Sequence, residues 1–417
     1  MRSSAVRLLF LAISLIAGMA VFAGDTIQLK LPSGFKAVTL IDSLATNRHI
    51  AVNSNGDIYV KIEKLKDGKG ILVLREKNGK AEIVNSFGTF DGSGIAIKNG
   101  YLYATTDEDV FRFKFNDKNE IDPAQVPEKI ITKLVNKRQH SAKTIALDDA
   151  GNIYVNIGAP SNSCQVKDRQ KGSLGQSPCH ILDSAGGIWQ FRSDKLNQTY
   201  ADGVHYARGI RNAVAVFWNS TVNDLYAMQH GRDGLFQMFP ELYSEEEGAE
   251  LPAEEMFRVK KGSDFGWPYC YYDEFQKKKI LAPEYGGDKK KTGKCSMVDT
   301  PAVAFPGHWA PNALLFYTGS EFPAKYKNGA FIAFHGSWNR APLKQKGYKV
   351  MFVPFEDGKA SGPAEVFADN FKGSEEIDSP DDAVTRPCGL AQGPDGALYI
   401  SDDVKGRLWK VSYSDKK

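Results

Sequence analysis

Charge imbalance, cysteine and long apolar runs are all in short supply in this 417-residue chain. The formal net charge is only +3, and Arg2 and Arg7 supply two of the positive charges. A chain this close to neutral has no broad field to attract nucleic acid or an anionic membrane. The five cysteines form no Cys-x-x-Cys-His sequence and no zinc-like Cys/His spacing. That excludes an attached c-type haem and a structural zinc site. No cysteine precedes Cys164, which excludes a lipid-modified N-terminal cysteine. Convincing helical periodicity is nearly absent, which argues against a helical fold.

One apolar run stands out, Leu8–Phe22. It follows a basic start at Arg2 and Arg7 and ends in Val21-Phe22-Ala23, which fits the small-x-small cleavage rule. Residues 1–23 therefore read as a secretory signal peptide, too short for a comfortable membrane span. An uncleaved anchor is the rival reading. No later segment is apolar enough to span, so residues 24–417 are expected as one exported domain, secreted or periplasmic. The composition, 42% apolar and 25% charged, is that of a globular protein.

Export permits disulfides. Cys164 and Cys179 lie 15 apart in a Ser/Gly/Pro-rich stretch, and Cys270 and Cys295 lie 25 apart around a lysine-rich stretch. Local pairing, Cys164–Cys179 and Cys270–Cys295, is the simplest connectivity, though spacing alone leaves others open. Cys388 is then unpaired.

The chain also contains a repeat. A turn with Asn/Asp-Gly or a similar pair precedes an apolar residue, an aromatic and a small or β-branched residue. It occurs as Asn55-Gly56-Asp57-Ile58-Tyr59-Val60, as Asn99-Gly100-Tyr101-Leu102-Tyr103-Ala104 and as Ala150-Gly151-Asn152-Ile153-Tyr154-Val155. It returns as Asn223-Asp224-Leu225-Tyr226-Ala227, Asn328-Gly329-Ala330-Phe331-Ile332-Ala333 and Asp395-Gly396-Ala397-Leu398-Tyr399-Ile400. A turn residue at positive φ followed by alternating apolar positions is hairpin chemistry. Six copies from end to end predict an all-β, six-bladed β-propeller, with an irregular array of β-sandwiches as the alternative. Tyr59 to Tyr399 is 340 residues, a mean interval of 68, so the blades carry long inter-strand loop insertions. The strand-like Ile27–Ile41 segment is expected to pair with the last blade and close the ring.

Function in such a ring belongs to loops around one mouth of the central channel. Four segments there are distinctive. They are Arg208-Gly209-Ile210-Arg211-Asn212-Ala213-Val214, Asp264-Phe265-Gly266-Trp267-Pro268-Tyr269-Cys270, His335-Gly336-Ser337-Trp338-Asn339-Arg340 and Arg386-Pro387-Cys388-Gly389-Leu390. In order and content they resemble the pyrroloquinoline quinone (PQQ)-dependent soluble sugar dehydrogenases, above all the branch related to sorbosone and pyranose dehydrogenases. The resemblance spans roughly His140 to the C-terminus. It implies PQQ, Ca²⁺, a small sugar substrate and an external electron acceptor such as a quinone, dye or cytochrome.

Residue by residue, the resemblance implies Arg211 and Asn212 beside the quinone oxygens and Arg386 on the cofactor's carboxylates. His335, Trp338, Asn339 and Arg340 belong to the motif expected to line the same mouth. A flat ortho-quinone with three carboxylates calls for such planar guanidinium forks. His140, just ahead of the third hairpin, stands where the family keeps its general base. Imidazole suits that task near neutral pH. His335 is the second candidate, and His308 a wall residue. Ca²⁺ takes oxygen ligands, including backbone carbonyls that leave little trace in a sequence. The family pattern points to Gly231 and Arg232, in His230-Gly231-Arg232-Asp233. One departure stands out: the glucose-oxidising branch keeps a second arginine where this chain has Cys388, which shifts the burden to Arg340 and other groups.

Two charged runs read as solvated surface: the acidic stretch Glu245–Glu255 and the lysines at 277–279 and 289–291. A second ion on the former and an acidic electron acceptor on the latter are the functional alternatives. Two other functions compete for the whole chain. One is a Ca²⁺-dependent propeller lactonase or esterase, and the other is a non-catalytic propeller that binds glycans or proteins.

Overall fold

A computed structural model describes residues 27–137 and 139–414, so the expected signal peptide lies outside the described residues. The six hairpin signals sit in six sheets. The first blade is Asn47–Val52, Ile58–Lys66, Lys69–Lys77 and Lys80–Phe87, and the second is Ile95–Lys98, Tyr101–Thr105, Val110–Lys114 and Glu128–Ile131. The third is Ile145–Leu147, Asn152–Ile157, Gly187–Arg192 and Val204–Arg208, and the fourth is Ala215–Asn219, Asp224–Gln229, Glu254–Val259 and Val303–Phe305. The fifth is Pro311–Phe316, Ala330–Phe334, Lys349–Val353 and Glu365–Ala368. The sixth takes Pro387–Gln392, Leu398–Asp402 and Leu408–Tyr413 from the C-terminus, and its fourth strand, Phe35–Ile41, from the N-terminus. That last pairing, Phe35 to Tyr413 through Ile41 to Leu408, closes the ring and covers the edge an open ring would expose. The closing strand is shorter than the sequence suggests: of the residues ahead of it, Lys30 bridges to Asp369 of the fifth blade instead.

Tyr59, Tyr103, Tyr154, Tyr226, Phe331 and Tyr399 all lie in second strands, each at most 3% exposed. Their partners on the first strands are Ala51, Ala96, Ala146, Phe217, Leu315 and Ala391. Four of the six are alanine, a small side chain that fits the taper where first strands crowd towards the axis, and the fourth and fifth blades use Phe217 and Leu315 instead. The turns follow the expected chemistry, with one refinement. Asn99 (φ 49) and Gly100 (φ 78) both take the left-handed region of a type I′ turn. In the fifth hairpin Asn328 carries the positive φ of 62, and Gly329 is needed for room: a Cβ there would meet the Phe352 ring at 2.3 Å.

These turns all lie at one end of the ring. The opposite end, where first strands begin and second strands finish, collects the loops of every blade. Between the ends runs a channel of about 380 Å³, lined by first-strand residues such as Ile50, Ile97, Leu147, Val216, Leu314 and Leu390. Two insertions build up the loop end. One, between the second and third strands of the third blade, contains Cys164–Cys179. The other, in the fourth blade, contains the hairpin Cys270–Asp273 and Lys278–Leu281 and the Cys270–Cys295 bridge. It also adds Ser263–Asp264 in parallel to the third blade's outer strand. Cys388 is free and buried, and burial pushes its thiol up to about 12. Peptide mapping without reduction is therefore expected to find the two local bridges. Cys388 should resist alkylation until the chain is unfolded; a bridge to Cys388 would contradict the fold. Reducing either bridge is expected to cost about 3 kcal/mol.

The two charged runs are not uniformly surface. Glu255 and Lys279 are 1% and 3% exposed, and their ion pair at 2.7 Å ties the fourth blade to its own insertion. A buried pair is invisible to composition, because its partners are read separately as solvated charges.

Candidate active site

At the loop end a cavity of about 140 Å³ is lined by His140, Arg211, His230, Gly231, Asp233, Glu254, His308, Ala310, Ser337 and Asn339. These residues come from the third, fourth and fifth blades; all but Glu254 precede a first strand or follow a second one, and Glu254 opens the third strand of the fourth blade.

His140 sits at φ 54, a left-handed position that costs a non-glycine residue on the order of 1 kcal/mol. Its Nδ1–H donates to the Ala159 carbonyl at 2.5 Å, which fixes the tautomer and leaves Nε2 as the basic nitrogen. Burial first, then the Arg211 charge, lowers its pKa to about 3, so the imidazole is neutral. Gly158 makes this packing possible. A Cβ there would lie 2.6 Å from the His140 Cβ and 2.8 Å from Asn212 Oδ1. Asn212 is held by Asn156, whose Nδ2 donates to Oδ1 at 3.2 Å.

Arg211 is 3% exposed. Nη1 donates to the Gly231 carbonyl at 2.8 Å and Nη2 to Asp233 Oδ2 at 2.6 Å, while buried Nε has no hydrogen-bond partner. Asp233 is the hub of the cluster. Its Oδ2 also accepts from Arg169 Nη2 at 2.8 Å and its Oδ1 from Asn339 Nδ2 at 2.9 Å. Burial pushes Asp233 up, but Arg211, His308 and Arg169 outweigh it and hold the carboxyl well below the usual range. Glu254 behaves oppositely. Burial raises it to about 8, against hydrogen bonds from the Gly231 and Ala310 amides, so it is neutral at pH 7. The Arg232 side chain turns away: it pairs with Glu284 at 2.7 Å and packs under the fourth-blade insertion. Only its backbone remains for a ligand.

The His335–Arg340 motif divides. Gly336 (φ 77) is required because a Cβ would lie 2.2 Å from the Tyr348 ring. Asn339 reaches Asp233, whereas Trp338 is 68% exposed on the rim. His335 Nε2–H donates to Asp403 at 2.9 Å, and Arg48 Nη1 reaches the same carboxylate at 3.2 Å. Arg386 donates through Nε to the His335 carbonyl at 3.0 Å and through Nη2 to the Gly336 carbonyl at 2.6 Å. Arg340 is not brought to the cavity. It is 2% exposed and pins the short helix Glu245–Glu250, donating to the Ala249 carbonyl at 2.6 Å and to Glu250 at 2.8 Å. Asp403, Arg48 and Arg169 had no signal in the sequence, whereas Asp233 ends the His230–Asp233 segment and Glu254 lies in the acidic Glu245–Glu255 stretch.

The charges make a stability prediction. His49 and His230 are lowered to about 4 and His140 to about 3, mainly by burial. Below the ordinary value of 6.5 the unfolded chain therefore binds protons that the folded chain does not, so stability falls as pH drops from 6.5 towards 4. Glu254, raised to about 8, and Asp402, raised to about 6, oppose this with one proton each. Thermal melts from pH 7 to pH 5 are expected to show a falling Tm, with stability lost at roughly 1 kcal/mol per pH unit below 6. A constant or rising Tm would contradict neutral buried imidazoles.

The residues fit an anionic, planar quinone. Arg169 and Arg211 share the Asp233 carboxylate, Glu254 is raised by burial, and the His140 and His230 imidazoles are uncharged. The cluster thus retains positive charge, together with a buried guanidinium N–H that no protein group satisfies. An unmade bond of this kind is costly unless a ligand completes it. For a hard cation the donor on offer is a backbone oxygen, the Gly231 carbonyl, which keeps a second lone pair beside its bond from Arg211. Among the described residues no group of three or more His, Cys, Asp and Glu side chains is placed to hold a metal.

Known proteins are similar to this chain in sequence, and others in structure. A Borreliella burgdorferi protein of no named activity is 25% identical over 421 residues, covering 97% of this chain and 96% of its own. A Hypocrea jecorina protein named as a PQQ-dependent sugar dehydrogenase is 23% identical, covering 91% and 88%. A PQQ-dependent pyranose dehydrogenase of Coprinopsis cinerea is 22% identical over 92% of this chain, which spans about half (54%) of that protein. Among solved structures, the calcium structure of the Trichoderma reesei family AA12 enzyme superposes with a TM-score of 0.74 at 20% identity, covering 93% of this chain and 98% of its own. The PQQ domain of the Coprinopsis cinerea pyranose dehydrogenase in its holo form gives 0.71 at 19%, covering 93% and 97%. These likenesses establish the six-bladed fold. A TrAA12-like family model matches residues 29–414, from the closing strand through all six blades and every loop of the mouth, and this chain belongs to that family.

Proposed function

We propose that this protein is a quinoprotein sugar dehydrogenase. It oxidises a hydroxyl of a sugar or sugar-aldehyde with PQQ and Ca²⁺ and passes the electrons to an external acceptor. The named activities of the Hypocrea and Coprinopsis relatives support this reading. Its two disulfides support a secreted or periplasmic location, as does the signal-like start.

One observation carries the proposal: a neutral imidazole with its tautomer fixed and a buried guanidinium with an unmade bond line the same cavity. When bound, PQQ supplies an ortho-quinone that accepts hydride from the sugar carbon. His140 Nε2 takes the hydroxyl proton, with Nδ1–H kept on the Ala159 carbonyl. Arg211 and Asn212 orient the quinone oxygens, and Arg386 meets a carboxylate. Asn339, His335 and Trp338 line the approach, and Arg340 acts as a positioning residue through the helix it pins. The Gly231 and Arg232 carbonyls hold Ca²⁺. The lactonase alternative needs side-chain carboxylates free for the metal. Here Asp233 and Asp403 are committed to arginines and Glu254 to backbone amides.

The test is reconstitution with PQQ and Ca²⁺, followed by dye reduction across aldoses, ketoses and sugar aldehydes. Activity that needs both additions and is abolished by a chelator is expected. No reduction with any sugar would favour a non-catalytic propeller. Full PQQ affinity in chelator would remove the metal from cofactor binding.

A further inference from the structure

The Cys164–Cys179 loop takes no part in the proton and hydride steps above, yet it brings Arg169 to the Asp233 carboxylate at the mouth. Asn162 anchors its start: the side chain accepts from the Asp233 amide at 2.8 Å and donates to the Asp233 carbonyl at 3.0 Å. Asp168 braces the loop on the inside, accepting from Ser161 Oγ at 2.6 Å, the Asn162 amide at 2.9 Å and Gln139 Nε2 at 2.7 Å. The result is a fixed platform for Arg169. Its Nη2 is 2.8 Å from Asp233 Oδ2, and Nε and Nη2 are 3.3 Å from the side-chain oxygen of Gln139, the residue before the proposed base.

Depth separates the two arginines on Asp233. The Arg211 side chain is 3% exposed, on the inner side, and that of Arg169 is 40% exposed, on the outer side. One carboxylate oxygen serves both, so the pair carries more positive charge than Asp233 neutralises. Lys167 and Lys171 flank Arg169 and are exposed, and the one acid between them, Asp168, lies 3.9 Å from Arg169 Nε, so four cations face two carboxylates, Asp168 and Asp233. A guanidinium beside the base, on the solvent side of the cofactor pocket, with Nη1 making no hydrogen bond among the described residues and with too little counter-charge, is matched by a carboxylate on the substrate.

We infer that Arg169 is a substrate-recognition residue and that the substrate is a sugar bearing a carboxylate, such as a uronic acid. This rests on the sugar-oxidising reading above. Arg169 meets the carboxylate while His140 takes the proton of a hydroxyl on the same sugar. Lys167 and Lys171 add attraction that weakens with salt.

Two measurements test the inference. In reconstituted enzyme, kcat/KM for D-glucuronate is expected to exceed that for D-glucose. Arg169→Gln should cut the glucuronate-to-glucose ratio at least about tenfold, chiefly through KM, since a charge-assisted hydrogen bond of this kind is lost. Calorimetry on wild-type protein without quinone should detect glucuronate binding that glucose lacks and that both the variant and added salt weaken. A ratio unchanged by Arg169→Gln, or turnover of neutral sugars alone, would overturn the inference and leave the dehydrogenase reading intact. If no sugar is turned over, the dehydrogenase reading fails. Calorimetry then decides separately, and glucuronate binding that does not depend on Arg169 overturns this proposal.

Discussion

His140→Ala is expected to lower dye reduction by the best sugar at least about 10²-fold while leaving PQQ titration nearly unchanged. The alcohol is a poor hydride donor while it keeps its proton, so removing the base slows the chemical step directly. The quinone is held by arginines and Ca²⁺ in this account, and the imidazole contributes little to its affinity. His230 and His308 line the same cavity, each with Nε2–H on a backbone carbonyl at 3.1 Å, Pro311 for His230 and Gly248 for His308. Equal losses of binding and turnover would assign His140 a structural role. An unchanged rate would move the base to His335, and His335→Ala would then decide.

Arg211→Met is expected to abolish measurable PQQ binding and to destabilise the fold by about 3 kcal/mol, the lower end for a broken buried pair. The loss stops there because Arg169 still faces Asp233 at 2.8 Å. Adding Asp233→Asn should restore much of the stability, since the stranded carboxylate is gone, but none of the binding. Arg211→Lys should keep the charge and still bind poorly, because one ammonium cannot serve the Gly231 carbonyl, Asp233 and a quinone oxygen in a fixed plane. Quinone affinity retained in Arg211→Met, measured by fluorescence titration, would contradict the assignment of this arginine.

What the sequence disclosed follows from how local each signal is. The hairpins are written within six residues apiece, so the blade count and the equivalent aromatic positions could be read directly. The disulfides are likewise local, each closing its own insertion. The motif positions brought His140, Arg211 and Asn339 to the same cavity. Arg340 shows the limit of such a motif. Its neighbour Asn339 reaches Asp233, but Arg340 points the other way into a helix end, and no spacing rule separates the two. Arg169 and Glu255 were hidden for a different reason. Each acquires its role only when an insertion folds back, over the mouth for Arg169 and onto the fourth blade for Glu255. The closing strand was placed correctly but drawn too long, because Ile27 to Pro32 is apolar enough to pass for strand while Lys30 pairs with the fifth blade.

The most direct measurement is anaerobic titration of the purified protein with PQQ in the presence of Ca²⁺, followed by addition of sugar. The account predicts saturation at one quinone per chain and then loss of the oxidised-quinone absorbance when the sugar is added. Absence of saturable binding, or bound quinone that no sugar reduces, would contradict it.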